Sequence, residues 1–493
     1  MTIVKVEQNG LAGSARSTRA RGHQVIQSRL GSSGHQCATY ATSVTGGRNE
    51  PSDVAPGGAT VVIRAVLRHF PVGTAALGLA GYWYLYSHQL VDRPIRADGV
   101  SYYQYLPAWI ADGDPTFETQ ARDCCFGYTT ELPIGIERWP ETGRWLDAHP
   151  IGVAVLMLPF FLAAHGLSWW SNLPRDGFSL YYQYIVGLAG LAYAVAGLTI
   201  LRRLLIRHFS EPVVLATLVT MTFGTNLFHY AVYDSTYSHA FSFCLVALLL
   251  LLVELWWEAA TVWRSVGLAV VAALIIMVRH TNVVFLAFVP LYGISRWSDV
   301  RTSLSRLQQR RGLILVMLAV GLLCLSPQLI LYKWATGHWI VNAYGDGVSF
   351  TWGSPHIFGT LFSVQRGLFF WSPVLLFSIG GLVVATGWPR GLAVATVAVL
   401  AVHTYVLASW FMWDLAAGYG HRGFTDLLAA FAVYVAAFFA WTAKRPRLAT
   451  VVGAVAVALV ALSLVQTWQY WNGIIPSEKM KWAQYRASFL RLR

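Results

Sequence analysis

Charged side chains are scarce in this chain. Asp, Glu, Lys and Arg make up 12% of its 493 residues, where a soluble domain carries roughly 25%. That deficit excludes an ordinary water-facing fold. Cysteine is also sparse. The five cysteines, Cys37, Cys124, Cys125, Cys244 and Cys324, form no CxxC pattern, which argues against a structural zinc site. The adjacent Cys124 and Cys125 can pair as a disulfide or remain thiols. There is no P-loop, no GxGxxG between a strand and a helix, and no loop long enough to house a nucleotide-binding domain. The surplus of 36 Lys+Arg over 23 Asp+Glu, a net charge of +13, has no basic soluble domain to sit in, so nucleic acid is not expected as a partner. No apolar run follows Met1, so a signal peptide is not expected.

What the chain has is hydrophobicity: 56% of residues are apolar or aromatic and the mean hydropathy is +0.50. Runs of about 20 apolar residues can each cross a bilayer core as a helix. Continuous runs favour helices over the alternating pattern of a membrane barrel. Candidate segments fall at 68–88, 150–170, 181–201, 212–231, 237–256, 264–279, 282–297, 313–334, 367–387, 391–411, 424–441 and 449–469. The expected architecture is an all-α polytopic membrane protein of 11–12 transmembrane helices, with interfacial helices in the first loop. Residues 1–60, rich in Ser, Gly, Arg and Thr, are expected to be disordered. Residues 61–470 form the membrane domain, and 471–493 a basic amphipathic tail.

Basic clusters at Arg64 and Arg68, Arg202 to Arg207, Arg264, 296–311 and Lys444 to Arg447 orient the chain with those loops in the cytoplasm. The orientations agree if 150–170, which contains Pro150 and Pro159, lies in the interface or re-enters rather than crossing, giving 11 spans and an external C-terminus. The external side then carries a loop at 89–149 with ten acids against five arginines, a Gly- and aromatic-rich loop at 335–367 and the turn at 410–424.

Asp98 follows the first span closely. Helical spacing places Tyr102, Tyr105 and Trp109 on one stripe, suited to a helix lying flat at headgroup level. Asp98 can cap that helix, accept a proton from a hydroxyl, or ligate a divalent cation. Asp112 and Asp114 in ADGDP can form a turn or a metal-binding pair. At external helix ends stand His239, Arg279, His280, Lys333, Arg366, His421 and Arg422. Ionisable groups at such depth face a cavity or a partner, or snorkel. Together they suit a pocket for an anionic headgroup such as phosphate. Trp352, Trp410 and Trp413 can stack on sugar faces or anchor the interface.

The order of these pieces resembles the GT-C class of integral-membrane glycosyltransferases, in particular uncharacterised bacterial members. The resemblance lies in DGVSYYQYLPAWIADGDPTF (98–117), HPIGVAVLMLPFFLAAH (149–165), FGTNLFHYAVYDSTYSHAFSF (223–243), VRHTN (278–282), LFSVQRGLFFWSPVLL (361–376) and GYGHRGFTDLL (418–428), with His280 where the class pattern has Pro. It spans about 70–440 and keeps the order.

That resemblance implies a hexosyl- or pentosyltransferase that moves a sugar from a polyprenyl-phosphate carrier to a lipid, glycan or protein acceptor, with inversion. The site would face the extracytoplasmic side of the plasma (inner) membrane. It makes Asp98 the base, with Asp112 or Asp114 as a second acid. Arg279, Lys333, Arg366 and Arg422 become phosphate ligands, and His239 lies near the sugar. Tyr102, Tyr103, Asn282 and His421 complete the expected substrate site, and Asp98 is the expected ligand of a Mg²⁺ or Mn²⁺. The competing expectations are a flippase or transporter of lipid-linked sugars and a surface-polysaccharide ligase.

Overall fold

The structure, a computed structural model, describes residues 58–123, 135–344 and 348–492. Residues 1–57 and the Cys124–Cys125 pair fall outside the described residues. The first helix, Gly58–Ser87, already begins inside the stretch expected to be disordered. The described chain is mostly helical. Its only sheet is a two-stranded antiparallel hairpin, Ile136–Arg138 with Trp145–Asp147.

Every apolar run identified in the sequence becomes helical. Among the described residues, eight helices are long and apolar enough to cross a membrane, and four shorter apolar helices accompany them. Ends fall where backbone chemistry dictates. Pro212, Pro389 and Pro446 sit at helix starts, where a missing N–H costs nothing. Gly337, left-handed at φ 80, closes Arg311–Thr336, and its N–H bonds the Lys333 carbonyl at 3.0 Å. Several runs are broken, among them 212–231 into Glu211–Phe223 and Leu227–Val232, and 367–387 at Ser372 and Pro373.

Burial sorts the helices. Arg422–Ala443 is 89% buried, whereas Arg311–Thr336 is 6% buried despite being among the most apolar. Leu315, Leu318, Leu322 and Leu323 on the latter are exposed. Such a surface is tolerated only where lipid replaces water. The chain is therefore an all-α, multi-pass membrane protein.

Contacts define two ends of the bundle. One is basic: Arg64 pairs with Glu211 at 3.0 Å, Arg207 pairs with Glu254 at 2.7 Å and Glu258 at 2.5 Å, and Arg310 bonds the Trp256 and Trp257 carbonyls. The described parts of the first loop, 89–123 and 135–149, cover the other end. There its hairpin leans on the end of Arg311–Thr336, through Arg144 to the Trp334 carbonyl and His338 to Glu141. The tail after Trp471 returns to this same end, where Ile475 and Met480 are buried and Gly418 N–H bonds the Ser477 carbonyl.

The Gly152–Trp170 helix has spanning length, yet both its ends stay with the loop end. Gly152 packs on Met277 and Val278, and Ile151 N–H bonds Gln328. Further along, Phe161 meets Tyr103, and His165 bonds Tyr182 at 2.6 Å. Among the described residues, its far half keeps to Tyr103 and Tyr182 at the loop end. This geometry accords with a segment that does not cross. Cysteines placed at Thr142 and Arg175 in a cysteine-free background should therefore react with an impermeant maleimide from the same side of sealed vesicles. Labelling from opposite sides would show that the helix crosses.

Candidate functional site

The loop end holds an unusual density of paired ions. Asp98 opens the short helix Asp98–Tyr103, but it does not cap it. The cap position is Ala97, and no side chain bonds the first turn there. Ala97 sits at φ 46, a conformation that costs a non-glycine residue of order 1–3 kcal/mol and persists only under tertiary constraint. The constraint is visible on both sides. Arg96 pairs with Asp234 at 2.7 Å, and Asp98 pairs with Arg422 at 2.8 Å. Arg422 opens the turn Arg422–Leu427 and lies over the Tyr237 ring.

Burial alone would raise the Asp98 carboxyl. The Arg422 guanidinium, with His149 and His239, outweighs it and holds Asp98 below its usual value of 3.8. Asp234 follows the same pattern, with Arg96 and His229 overcoming burial. His229 bonds Asp234 through Nε2 at 3.0 Å and accepts from Trp471 Nε1 at 3.0 Å. This knots the loop, the Asp234 turn and the last long helix together.

Beside this lies a second cluster. Asp426, fully buried, accepts from His239 Nδ1 at 3.0 Å and from Asn282 Nδ2 at 2.9 Å. Arg279 sits at the break between Val262–Val278 and His280–Ala287, in extended backbone. Its guanidinium approaches Asp426 no closer than 3.7 Å and His239 Nδ1 at 3.5 Å. Both are too long for a strong ionic hydrogen bond. Arg422 and Asp426 share the turn Arg422–Leu427, which sets the two clusters side by side.

Of the residues singled out in the sequence, Asp98, Tyr102, His239, Arg279, Asn282 and Arg422 converge here. Tyr102 donates to Ser238 Oγ at 3.2 Å. The others have different roles. Asp114 accepts from the Thr116 and Thr119 N–H groups, at 2.8 and 3.0 Å, and so organises the turn before Glu118–Asp123. Asp112 accepts from Gln120 at 2.6 Å. Tyr103 is core, bonded to the Gly177 carbonyl and packed on Phe161 and Phe178.

Lys333 is exposed and bonds the Gly337 carbonyl at 2.5 Å. Arg366 is buried and bonds the Gln365, Ala416 and Ser477 carbonyls, so it braces the 410–424 turn and the tail. His421 bonds the Trp413 carbonyl at 3.0 Å. The aromatic stripe is not a headgroup belt either. Tyr102 and Tyr105 are buried, and only Trp109 is exposed. Trp352 stacks on Phe350 and Tyr405, and Trp413 on His356.

Asp234 and Asp426 belong to the site and escaped notice in the sequence. Each is an acid inside an apolar stretch, which is itself a signal of a functional or paired group. Among the described residues, no three His, Cys, Asp or Glu side chains gather as metal ligands. The Asp98 carboxylate is engaged by Arg422. The described residues therefore gather no second acid or imidazole set with Asp98 for the expected Mg²⁺ or Mn²⁺.

Comparison of the chain with protein-family models, with curated proteins and with solved structures finds no match. The chemical reading rests on this geometry.

Two outcomes follow. Asp426→Ala leaves His239, Asn282 and Arg279 facing an empty acceptor, which should cost about 3–5 kcal/mol and lower the unfolding temperature of the purified protein. Because the Asp98 carboxyl is depressed in the folded state, its stabilisation is present above the ordinary value of 3.8 and lost as pH falls through the lower folded value. Wild type and Asp98→Asn should thus differ in unfolding temperature at neutral pH and converge in strong acid.

Proposed function

We propose that the chain is a glycosyltransferase of the GT-C type, moving a sugar from a polyprenyl-phosphate carrier to an acceptor hydroxyl. The observation that carries this reading is one acid, Asp98, with two arginines, Arg279 and Arg422, in adjoining clusters at one end of a lipid-facing bundle. Arg422 is paired with Asp98, and Arg279 is held without a tight carboxylate partner. An under-engaged guanidinium at membrane depth suits an anion that arrives with a lipid. Phosphate leaving from the anomeric carbon gains negative charge, and fixed cations in a water-poor site stabilise such charge strongly. Asp98, kept ionised, accepts a hydrogen bond from the acceptor hydroxyl and orients it opposite the phosphate. This arrangement inverts the anomeric centre.

Exposed apolar flanks such as Arg311–Thr336 keep the polyprenyl chain in lipid while the headgroup enters. The basic clusters at the opposite end support an extracytoplasmic site in the plasma membrane.

Purified protein with labelled polyprenyl-phosphate sugars tests this. Asp98→Asn should abolish product yet retain lipid binding. Arg279→Gln should weaken polyprenyl-phosphate binding by roughly ten- to a hundredfold, the value of a charged hydrogen bond. Scrambling of the labelled lipid that survives Asp98→Asn, with no product from wild type, would identify a flippase instead.

A further inference from the structure

A third polar cluster stands beside Tyr102. Ser101 Oγ lies 2.6 Å from Asp147 Oδ1 and 2.6 Å from His149 Nδ1. Asp147 also accepts the His149 backbone N–H at 2.8 Å and Gln104 Nε2 at 2.5 Å. Ser101 and Asp147 are fully buried, and His149 nearly so. Gly135, at φ 80, closes over the cluster, and a Cβ there would lie 2.6 Å from Ser101 Oγ.

The hydrogen bonds fix the protons. Burial pushes the Asp147 carboxyl up, and bonds from His149 and Ser101 oppose that. With Asp147 ionised at neutral pH its oxygens only accept, so the single Ser101 hydrogen goes to Asp147. Nδ1 of His149 must then donate to Ser101 Oγ, which leaves Nε2 as the unprotonated nitrogen. The order is the reverse of a serine hydrolase, where the imidazole accepts from the serine. Ser101, buried and donating to an acid, is no nucleophile.

Nε2 makes no hydrogen bond to any described residue. The ring packs edge-on to Tyr102 at 4.4 Å and to Tyr344 at 5.8 Å. Tyr102 lies on the same short helix, Asp98–Tyr103, that Asp98 opens, beside the Asp98–Arg422 pair. Asp98 itself lies within electrostatic range of the imidazole.

Resting on the transferase reading, we propose that His149 is the proton acceptor of this site, with Ser101 and Asp147 as its positioning residues. The acceptor O–H bond breaks and its proton goes to Nε2, giving an imidazolium. The oxygen forms the new bond to the anomeric carbon. The bond from that carbon to the phosphate oxygen breaks, and its electron pair leaves with the phosphate toward Arg279 and Arg422. Asp98, tied to Arg422, orients the hydroxyl but is a weak base.

The test pairs two readouts on the full chain in detergent. Diethyl pyrocarbonate acylates a free imidazole nitrogen, and mass spectrometry locates the adduct. His149 should be labelled. Asp147→Asn should suppress that labelling, because its amide can donate to Ser101 and turn the serine hydrogen toward Nδ1. In transfer assays, His149→Gln should lose about 10²–10⁴-fold in rate while binding polyprenyl phosphate as wild type does. His149→Ala should be partly rescued by added imidazole, which a merely structural role would not allow.

An unreactive His149, or His149→Gln within a few-fold of wild type, overturns the proposal while the transferase reading stands. A reactive His149 in a wild-type protein that transfers no sugar overturns the transferase reading, and the catalytic role falls with it.

Discussion

The ion pair between Asp98 and Arg422 ties the first long loop to the most buried helix of the bundle. Neither partner could be left alone at that depth, since a lone buried charge costs several kcal/mol. The pair therefore demands that the loop fold down onto the bundle. Arg96 with Asp234, and His229 with Trp471, secure the same closure from the adjoining side. The positive φ at Ala97 is the local strain of that closure, set between the two arginine contacts.

Once the loop is down, the rest of the site follows. The helix break at Arg279 brings a guanidinium to the Asp426 cluster, and the break after Gly420 brings Arg422 to Asp98. The buried Asp426 holds His239 and Asn282 in place, yet it meets Arg279 only at a distance. Cations with different degrees of engagement around one acid make a place where an anion can bind without first displacing a strong partner. On the proposed reading, that anion is the phosphate of a lipid-linked sugar.

The helices were legible in the chain because continuous apolar runs have one solution in lipid, and their order required only length and charge. The expectation that 150–170 does not cross came from the charge pattern around Arg202. Asp98, Arg279 and Arg422 were legible as ions at helix ends. Asp112, Asp114, Lys333 and Arg366 carried the same signal but serve turns and carbonyls. Residue type and depth cannot separate an arginine that braces backbone from one that faces a cavity. The Ser101–Asp147–His149 cluster was invisible for another reason. Its members come from a short helix and a hairpin joined only in three dimensions, and the register of that hairpin sets their contact.

The most direct test is a cryo-electron-microscopy map of the protein in nanodiscs with a polyprenyl phosphate. The account predicts phosphate density between Arg279 and Arg422, with the lipid tail running out along the bundle surface. Phosphate seated at the opposite end, by Arg207 and Glu254, would contradict it.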